Sequence, residues 1–172
     1  SHEEVLDRLK EWKLNDDFLS QLIPLAIQRL ETLADFAPMT SFLSADEVEI
    51  DAESLTGKLE GADAVRLIKV AEWEFEKLRE WNGGSIGSVF SRMAEVEELK
   101  LKQFKPTFFV AISGSTVSLP LYDSMAILGP DLCRSRLRRA LEKLAEGGHG
   151  LSKKGLKALE KEYQAKYCER PD

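Results

Sequence analysis

The side chains of this chain best suited to binding chemistry are arginines near its C-terminal end. The segment "CRSRLRRALEKL" places Arg134 and Arg138 four residues apart, so that on a helix both lie on one face. Neighbouring positions carry Arg136, Arg139 and Lys143. Leucines supply the opposite, buried side. Such a helix can contact a phosphate backbone, contact an acidic protein or present a solvated face, and the residue types alone leave these interpretations open.

Arg29 is the second candidate, because on an unbroken helix it falls among apolar positions between Leu22 and Leu33. A guanidinium is not buried without a partner. We therefore expect Arg29 to pair with a carboxylate such as Glu31 or Asp35, to extend its charged end into solvent, or to face a cavity opened by a kink of the helix.

The segment "KPTFFVAISGSTVSLPLYDSMAILG" raises the question of a buried strand that leads into a phosphate-binding loop. Apolar residues recur at spacings of three and four, at Leu101, Phe104, Phe108, Ala111 and Ile112. Since a lone strand would leave its buried backbone groups without partners, the pattern favours a helix. Gly114 is then its C-cap, Pro120 lies in the first turn of the next helix, and Ser118 is the expected N-cap.

No catalytic constellation is recognisable in the sequence. The glycine-rich phosphate-binding motifs and the G-x-S-x-G nucleophile motif do not occur. His2 and His149 lie near a terminus and in a glycine-rich break, and Cys133 and Cys168 lack the spacing of metal ligands. We therefore expect a binding protein without catalytic residues, metal or cofactor of its own.

The charge is distributed unevenly along the 172 residues. Residues 1–91 carry nine basic and nineteen acidic side chains, whereas residues 92–172 carry fifteen basic and eleven acidic ones. Phosphate binding responds to local charge, so a basic second half is compatible with RNA despite a net charge of −6. Without a secretory leader or an apolar span in the sequence, we expect a cytoplasmic protein that does not enter a membrane.

The elements that would position these side chains read as helices. Asn15 is the expected N-cap of a helix that Pro24 kinks or breaks, and the apolar stripe of this helix runs on to Leu33. The acidic segment 44–63 reads as a connection, and "NGG" at 82–84 is expected to end the preceding helix. Further predicted helices cover residues 5–12, 65–81, 86–99, 132–144 and about 152–166, with a short helix or turn at 36–43 and a flexible break at 146–150.

Three segments together resemble the helical C-terminal half of bacterial glutamyl-tRNA synthetase. They are "LIPLAIQRLETLADF", "FFVAISGSTVSLPLYDSMAILG" and "RSRLRRALEKL", and the likeness runs from about residue 3 to residue 145. The resemblance implies an all-α anticodon-binding region with subdomains at 1–51 and 52–147, followed by a C-terminal helical extension at 148–172. It implies a monomer that binds glutamate tRNA and not DNA. The catalytic part, with its ATP and Mg²⁺, would lie elsewhere in a longer protein.

The resemblance also assigns roles to single residues. Arg29 matches the arginine that reads the third anticodon base. Cytosine offers the acceptors O2 and N3 on its pairing edge, whereas guanine offers N1–H and N2–H donors, so an arginine, which has only donors, accepts C and disfavours G. Ser118, Leu119 and Leu121 match the loop and helix start near the first and second anticodon bases, where unstacked bases are held by apolar and backbone contacts.

Two positions depart from the family pattern. Phe109 stands where the family usually has an arginine that contacts the anticodon, and Pro130 stands where a lysine or arginine is usual. Phe109 would either stack on a base or pack in the core. The alternative function is a helical protein–protein interaction module that uses the basic helix 132–144, on which Arg134 and Arg138 would otherwise contact the tRNA backbone.

Overall fold

The structure is a computed structural model that describes residues 1–12 and 15–168. The described residues are 77% helical without a strand, which confirms the predicted all-α class. They form the helices α1 (His2–Trp12), α2 (Asp16–Ala26), α3 (Phe36–Thr40), α4 (Ala52–Thr56), α5 (Gly61–Glu76), α6 (Gly83–Val96), α7 (Leu101–Ser113), α8 (Leu121–Leu128), α9 (Pro130–Leu144) and α10 (Lys153–Tyr163). None of these helices is long and apolar enough to cross a membrane.

The helix that contains Pro24 ends earlier than its apolar stripe suggests. Asn15 caps α2 as predicted, since its side-chain oxygen accepts a hydrogen bond of 2.8 Å from the backbone N–H of Phe18. The helix continues through Pro24, ends at Ala26 and gives way to a 3₁₀ turn at Ile27–Arg29. The expected burial of Leu33 is therefore wrong: its side chain is 89% exposed.

The asparagine of "NGG" begins a helix instead of ending one, which corrects the sequence interpretation. Helix α5 already ends at Glu76. Asn82 is the N-cap of α6, and its side-chain oxygen accepts a hydrogen bond of 2.9 Å from the backbone N–H of Ser85. Asparagine is favoured at both kinds of helix end, so the local sequence did not distinguish them.

Helix α7 confirms the helical interpretation of the segment that could have been a strand. Gly114 ends it in the left-handed conformation with φ of 73°, and its N–H donates to the carbonyl oxygen of Val110. A Cβ atom at Gly114 would lie 2.5 Å from the carbonyl oxygen of Glu49, so glycine also permits this close approach of the chain. Pro120 occupies the N-cap position of α8, and Ser118 is not its cap.

One apolar core joins the helices from α2 to α9 and extends to the C-terminal segment. Its aromatic centre is Phe90, whose ring centre lies 4.8 Å from that of Phe108 in an edge-on contact. The segment 44–63 is more than a connection, because α4 lies within it and Leu55 is completely buried in the core.

The C-terminal segment packs onto α5 and α6 through two buried tyrosines. Tyr163 donates a hydrogen bond of 2.8 Å to Glu74, and Tyr167 donates one of 2.9 Å to Glu97. The extension expected at 148–172 is therefore joined to the core as far as residue 168; residues 169–172 lie outside the described residues.

Candidate nucleic-acid interface

An open groove of about 770 Å³ brings together three of the residues singled out in the sequence. Arg29, Phe109 and Ser118 all line it, although Arg29 and Ser118 are 89 residues apart in the chain. The other lining residues are Asp35, Pro38, Met39, Thr116 and Val117. One wall therefore comes from the turns that follow α2 and from α3, and the other from α7 and the loop after it.

Arg29 is exposed and anchored at the groove by a single backbone contact. Its Nη1 donates a hydrogen bond to the carbonyl oxygen of Ser118. Neither Glu31 nor Asp35 forms an ion pair with it, so the expected carboxylate partner is absent among the described residues. Because the helix ends at Ala26, Arg29 leaves the apolar face on which an unbroken helix would have placed it. Its remaining N–H donors are available to a ligand.

Asp35 adds a carboxylate to the groove, whereas the sequence suggested it only as a partner for Arg29. Its Oδ2 accepts hydrogen bonds from the backbone N–H groups of Thr32 and Glu31 and from the Thr32 hydroxyl. The bond from the Thr32 backbone is the largest of the causes that lower the pKa of Asp35. The spacing Thr32-x-x-Asp35 is that of a capping box, a signal that could have identified this role.

Phe109 is half-buried, so it packs on the core and also presents part of its ring to the groove. Lys105, one helical turn earlier, places its ammonium 5.6 Å from the centre of that ring. The same ammonium lies 4.2 Å from the ring centre of Tyr122. Lys105 was not singled out from the sequence, although its i, i+4 spacing from Phe109 is the signal that predicts such a contact on a helix.

The three residues at the start of α8 differ in what they can offer a ligand. Ser118 is partly exposed and lines the groove, whereas the side chains of Leu119 and Leu121 are 0% and 2% exposed. Leu119 and Leu121 belong to the apolar core. Their buried side chains anchor the loop to the core, so only their backbone groups could contact a base.

The loop from Ser113 to Ser118 does not have the features of a phosphate cradle. It follows the C-terminus of α7, where the helix dipole is negative and disfavours an anion. The Ser113 hydroxyl donates to the carbonyl oxygen of Phe109 at 2.8 Å. The Ser115 side chain accepts a bond of 3.3 Å from the N–H of Val117, so these serines satisfy groups of their own chain.

The basic face of α9 lines a separate groove of about 480 Å³ that also contains carboxylates. Arg134 lies 3.1 Å from Asp131, and Arg139 pairs with Glu47. Arg138 is exposed and has no carboxylate partner among the described residues. Most of the positive charge that the sequence shows on this helix is therefore compensated locally.

Arg136 does not belong to this basic face, which corrects the sequence interpretation. Its side chain is only 2% exposed. The guanidinium donates hydrogen bonds to three backbone carbonyl oxygens, those of Ile112, Phe42 and Ala45. The residue thus joins the end of α7 to the turn that follows α3, the two regions that carry the opposite walls of the Arg29 groove.

The amino-acid sequence of the chain matches a known family. The anticodon binding domain family matches residues 4–141. The chain is 45% identical over 162 residues to a glutamate–tRNA ligase of Saccharophagus degradans, covering 94% of this chain and 31% of the relative. It is 37% identical over 166 residues to a glutamate–tRNA ligase of Marinobacter nauticus, covering 96% and 33%. A third glutamate–tRNA ligase, from Pseudomonas putida, is 38% identical over 160 residues, covering 92% and 32%.

The chain spans about a third of the length of these relatives. Because 162 of its 172 residues align with the first of them, the similarity continues into the C-terminal segment. This corrects the limit near residue 145 that the motifs suggested. The family match covers most of the chain and includes every residue that lines the Arg29 groove. This chain belongs to the anticodon-binding domain family.

Proposed function

We propose that this chain is the part of a glutamate–tRNA ligase that binds the anticodon of glutamate tRNA in the cytoplasm. Its relatives carry that name and contain about twice as much further sequence. Ligation of glutamate, with the ATP and Mg²⁺ that it requires, would be carried out by that further part. The described residues of this chain contain no group of three or more potential metal ligands.

The observation that carries the proposal is the convergence of Arg29, Phe109 and Ser118 on one open groove. An exposed guanidinium with free donors, a partly exposed aromatic ring and an exposed loop backbone are the groups that bind unstacked bases in single-stranded RNA. The groove volume of about 770 Å³ lies in the range of pockets that hold a small molecule, so it has room for a base.

Within this groove Arg29 would read the third anticodon base. Its carbonyl contact with Ser118 fixes one edge of the guanidinium, which leaves the other N–H donors for the acceptors O2 and N3 of cytosine. The donors N1–H and N2–H of guanine would instead face the N–H groups of the arginine. Such an enzyme would discriminate glutamate tRNA from glutamine tRNA, which differ at this base.

Ser118, Leu119 and Leu121 would hold the first and second bases, through the Ser118 side chain and the backbone of the loop. Phe109 would stack on a base with the part of its ring that faces the groove. Arg138 remains the better candidate for a tRNA backbone contact on α9, because Arg134 already pairs with Asp131. We also propose the division into subdomains at 1–51 and 52–147.

The proposal is tested by measuring the affinity of the chain for glutamate tRNA and for the same tRNA with an altered anticodon, over a range of salt concentrations. We expect an affinity that falls steeply with salt and that is lost when the anticodon is changed. Equal affinity for both RNAs would refute it. Binding to an acidic protein through helix 132–144, without binding to tRNA, would support the alternative of a protein-interaction module.

A further inference from the structure

Lys105 is a cation that contacts two aromatic rings, one of which, Phe109, lines the Arg29 groove. Its ammonium is 4.2 Å from the ring centre of Tyr122 and 5.6 Å from that of Phe109, both within the range of a cation–π contact. Phe109 lines the groove, so the positive charge of Lys105 lies directly behind a groove wall.

The position of this ammonium is fixed by the packing beneath it. The Tyr122 ring packs against α6, where a Cβ atom at Gly87 would lie 3.2 Å from its Cδ2. The ring centre of Phe90 is 5.0 Å from that of Tyr122. Because one side of the Tyr122 ring is held by the core, Lys105 rests on a rigid support, and less side-chain entropy remains to be lost when it binds a ligand.

Lys105 has no hydrogen-bond or ion-pair partner among the described residues, whereas several basic side chains of α9 do. Arg134 and Lys143 both pair with carboxylates, at 3.1 and 2.6 Å. The negative charge that acts on Lys105 is that of Asp123, which is not in contact with it. Partial burial lowers the pKa of Lys105. Lys105 is only half-buried, so a partly desolvated cation without a contacting counter-ion is stabilised by an anion that approaches its solvent-facing side next to Phe109.

We propose that Lys105 binds a backbone phosphate of the RNA strand whose bases enter the Arg29 groove. The inference rests on the proposed function. A lysine ammonium binds phosphate as a point charge and carries no pattern that distinguishes bases. Lys105 thus contributes affinity and position, whereas Arg29 contributes the choice of base.

The test compares Lys105→Gln with wild type in binding to glutamate tRNA as the salt concentration is varied. Loss of one phosphate contact reduces the slope of log K against log salt by about 0.7 to 1. It weakens binding about two- to fivefold, the effect of one partly exposed charge pair, and by the same factor for tRNAs with different third anticodon bases. Lys105→Arg retains the charge and should retain the slope.

Lys102→Gln is the matched control, because Lys102 lies on the same helix, is exposed and has no charge partner among the described residues. It makes the same change in net charge and should leave the slope unaltered. Thermal unfolding followed by circular dichroism should show that all three variants remain folded.

Two outcomes overturn the inference in distinguishable ways. If wild type depends on the anticodon while Lys105→Gln has the wild-type slope, or the same slope as Lys102→Gln, the role of Lys105 is wrong and the proposed function stands. If wild type itself binds both anticodons equally, the proposed function fails and this inference fails with it.

Discussion

Arg136 is a buried guanidinium whose partners are all backbone carbonyl oxygens. Those of Ile112, Phe42 and Ala45 accept its hydrogen bonds. The Ile112 carbonyl lies in the last turn of α7, where carbonyl groups lack helical partners and the helix dipole favours a cation. Burial lowers the pKa of Arg136, yet an arginine remains charged at neutral pH. The charge of Arg136, which has no carboxylate partner among the described residues, is thus stabilised by carbonyl groups at the end of α7 and in the turn that follows α3.

We expect Arg136→Leu to lower the free energy of unfolding by about 3 kcal/mol or more, because each buried carbonyl left without a donor costs about 1–3 kcal/mol. Urea denaturation measures the change. Arg138→Leu is the control on the same helix: its side chain is exposed, and the change should stay within about 0.5 kcal/mol. Similar midpoints for the two variants would contradict the role of Arg136.

The contrast between Arg136 and Arg29 shows what the sequence does not contain. The sequence predicts Arg136 on a solvated basic face and Arg29 on an apolar one, and the structure reverses both. The carbonyl partners of Arg136 come from residues 42, 45 and 112, which only the tertiary structure brings together. Arg29 is exposed because α2 ends at Ala26. Pro24 indicates that this helix is interrupted, but it does not indicate the residue at which the helix ends.

At the scale of elements, the helix formed by residues 153–163 and the turn after it are held by tyrosine–carboxylate pairs. Glu74 is 4% exposed and accepts from Tyr163 while Lys77 lies 2.8 Å away. The Tyr163 ring also packs on Trp73, with ring centres 4.7 Å apart. Burial is the main cause that raises the pKa of Tyr163 to about 12.

This pKa predicts how stability responds to alkaline pH. A group that holds its proton more tightly in the folded state contributes stability below its unfolded pKa of about 10. That contribution is lost as the pH rises from about 10 to about 12. Tyr163→Phe removes the hydroxyl, and at neutral pH it should cost about 1–2 kcal/mol.

We therefore expect the difference in unfolding free energy between wild type and Tyr163→Phe to shrink as the pH is raised through this range. Urea denaturation at a series of pH values measures the difference directly. A difference that stays constant from pH 9 to pH 12, as a loss of packing alone would give, speaks against the titration of this hydroxyl.

Helices whose apolar residues recur regularly over many positions were predictable from the sequence. Their ends were predictable only where the local residues favoured a single kind of helix end. Helix α7 follows its spacing of three and four, and Gly114 ends it because its φ of 73° suits glycine. Asn82 is of a residue type found both at helix C-termini and at N-caps, and the prediction that it ends a helix is wrong, because it begins α6. Ser118 has the side chain of an N-cap, but Pro120 occupies that position.

At the scale of the whole molecule, the proposed binding groove does not lie where the sequence concentrates its positive charge. The basic face of α9 is compensated by acidic side chains, including Glu47 from the acidic first half of the chain. The Arg29 groove is instead lined by Arg29, which no carboxylate of the described residues pairs with, and Lys105, likewise unpaired, lies behind its Phe109 wall. The resemblance of the motifs led to Arg29, Phe109 and Ser118, and it did not lead to Asp35 or Lys105.

The walls of this groove come from parts of the chain that are far apart in sequence. Arg29 contacts Ser118 across 89 residues, and Arg136 ties the regions that carry the two walls. The position of Arg29 relative to the loop is therefore set in the free chain, which under the proposed function would reduce the free energy lost to ordering when RNA binds.

The most direct test of this account is the preference of the chain for C over G at the third anticodon base, measured for wild type and Arg29→Gln with two glutamate tRNAs that differ only there. We predict that wild type prefers C and that the variant loses about 1–3 kcal/mol of that preference, the discrimination of one base contact. Arg79→Gln, an exposed arginine outside the groove, should keep the wild-type ratio. An unchanged ratio in Arg29→Gln would contradict the assignment of this groove as the reader of the anticodon.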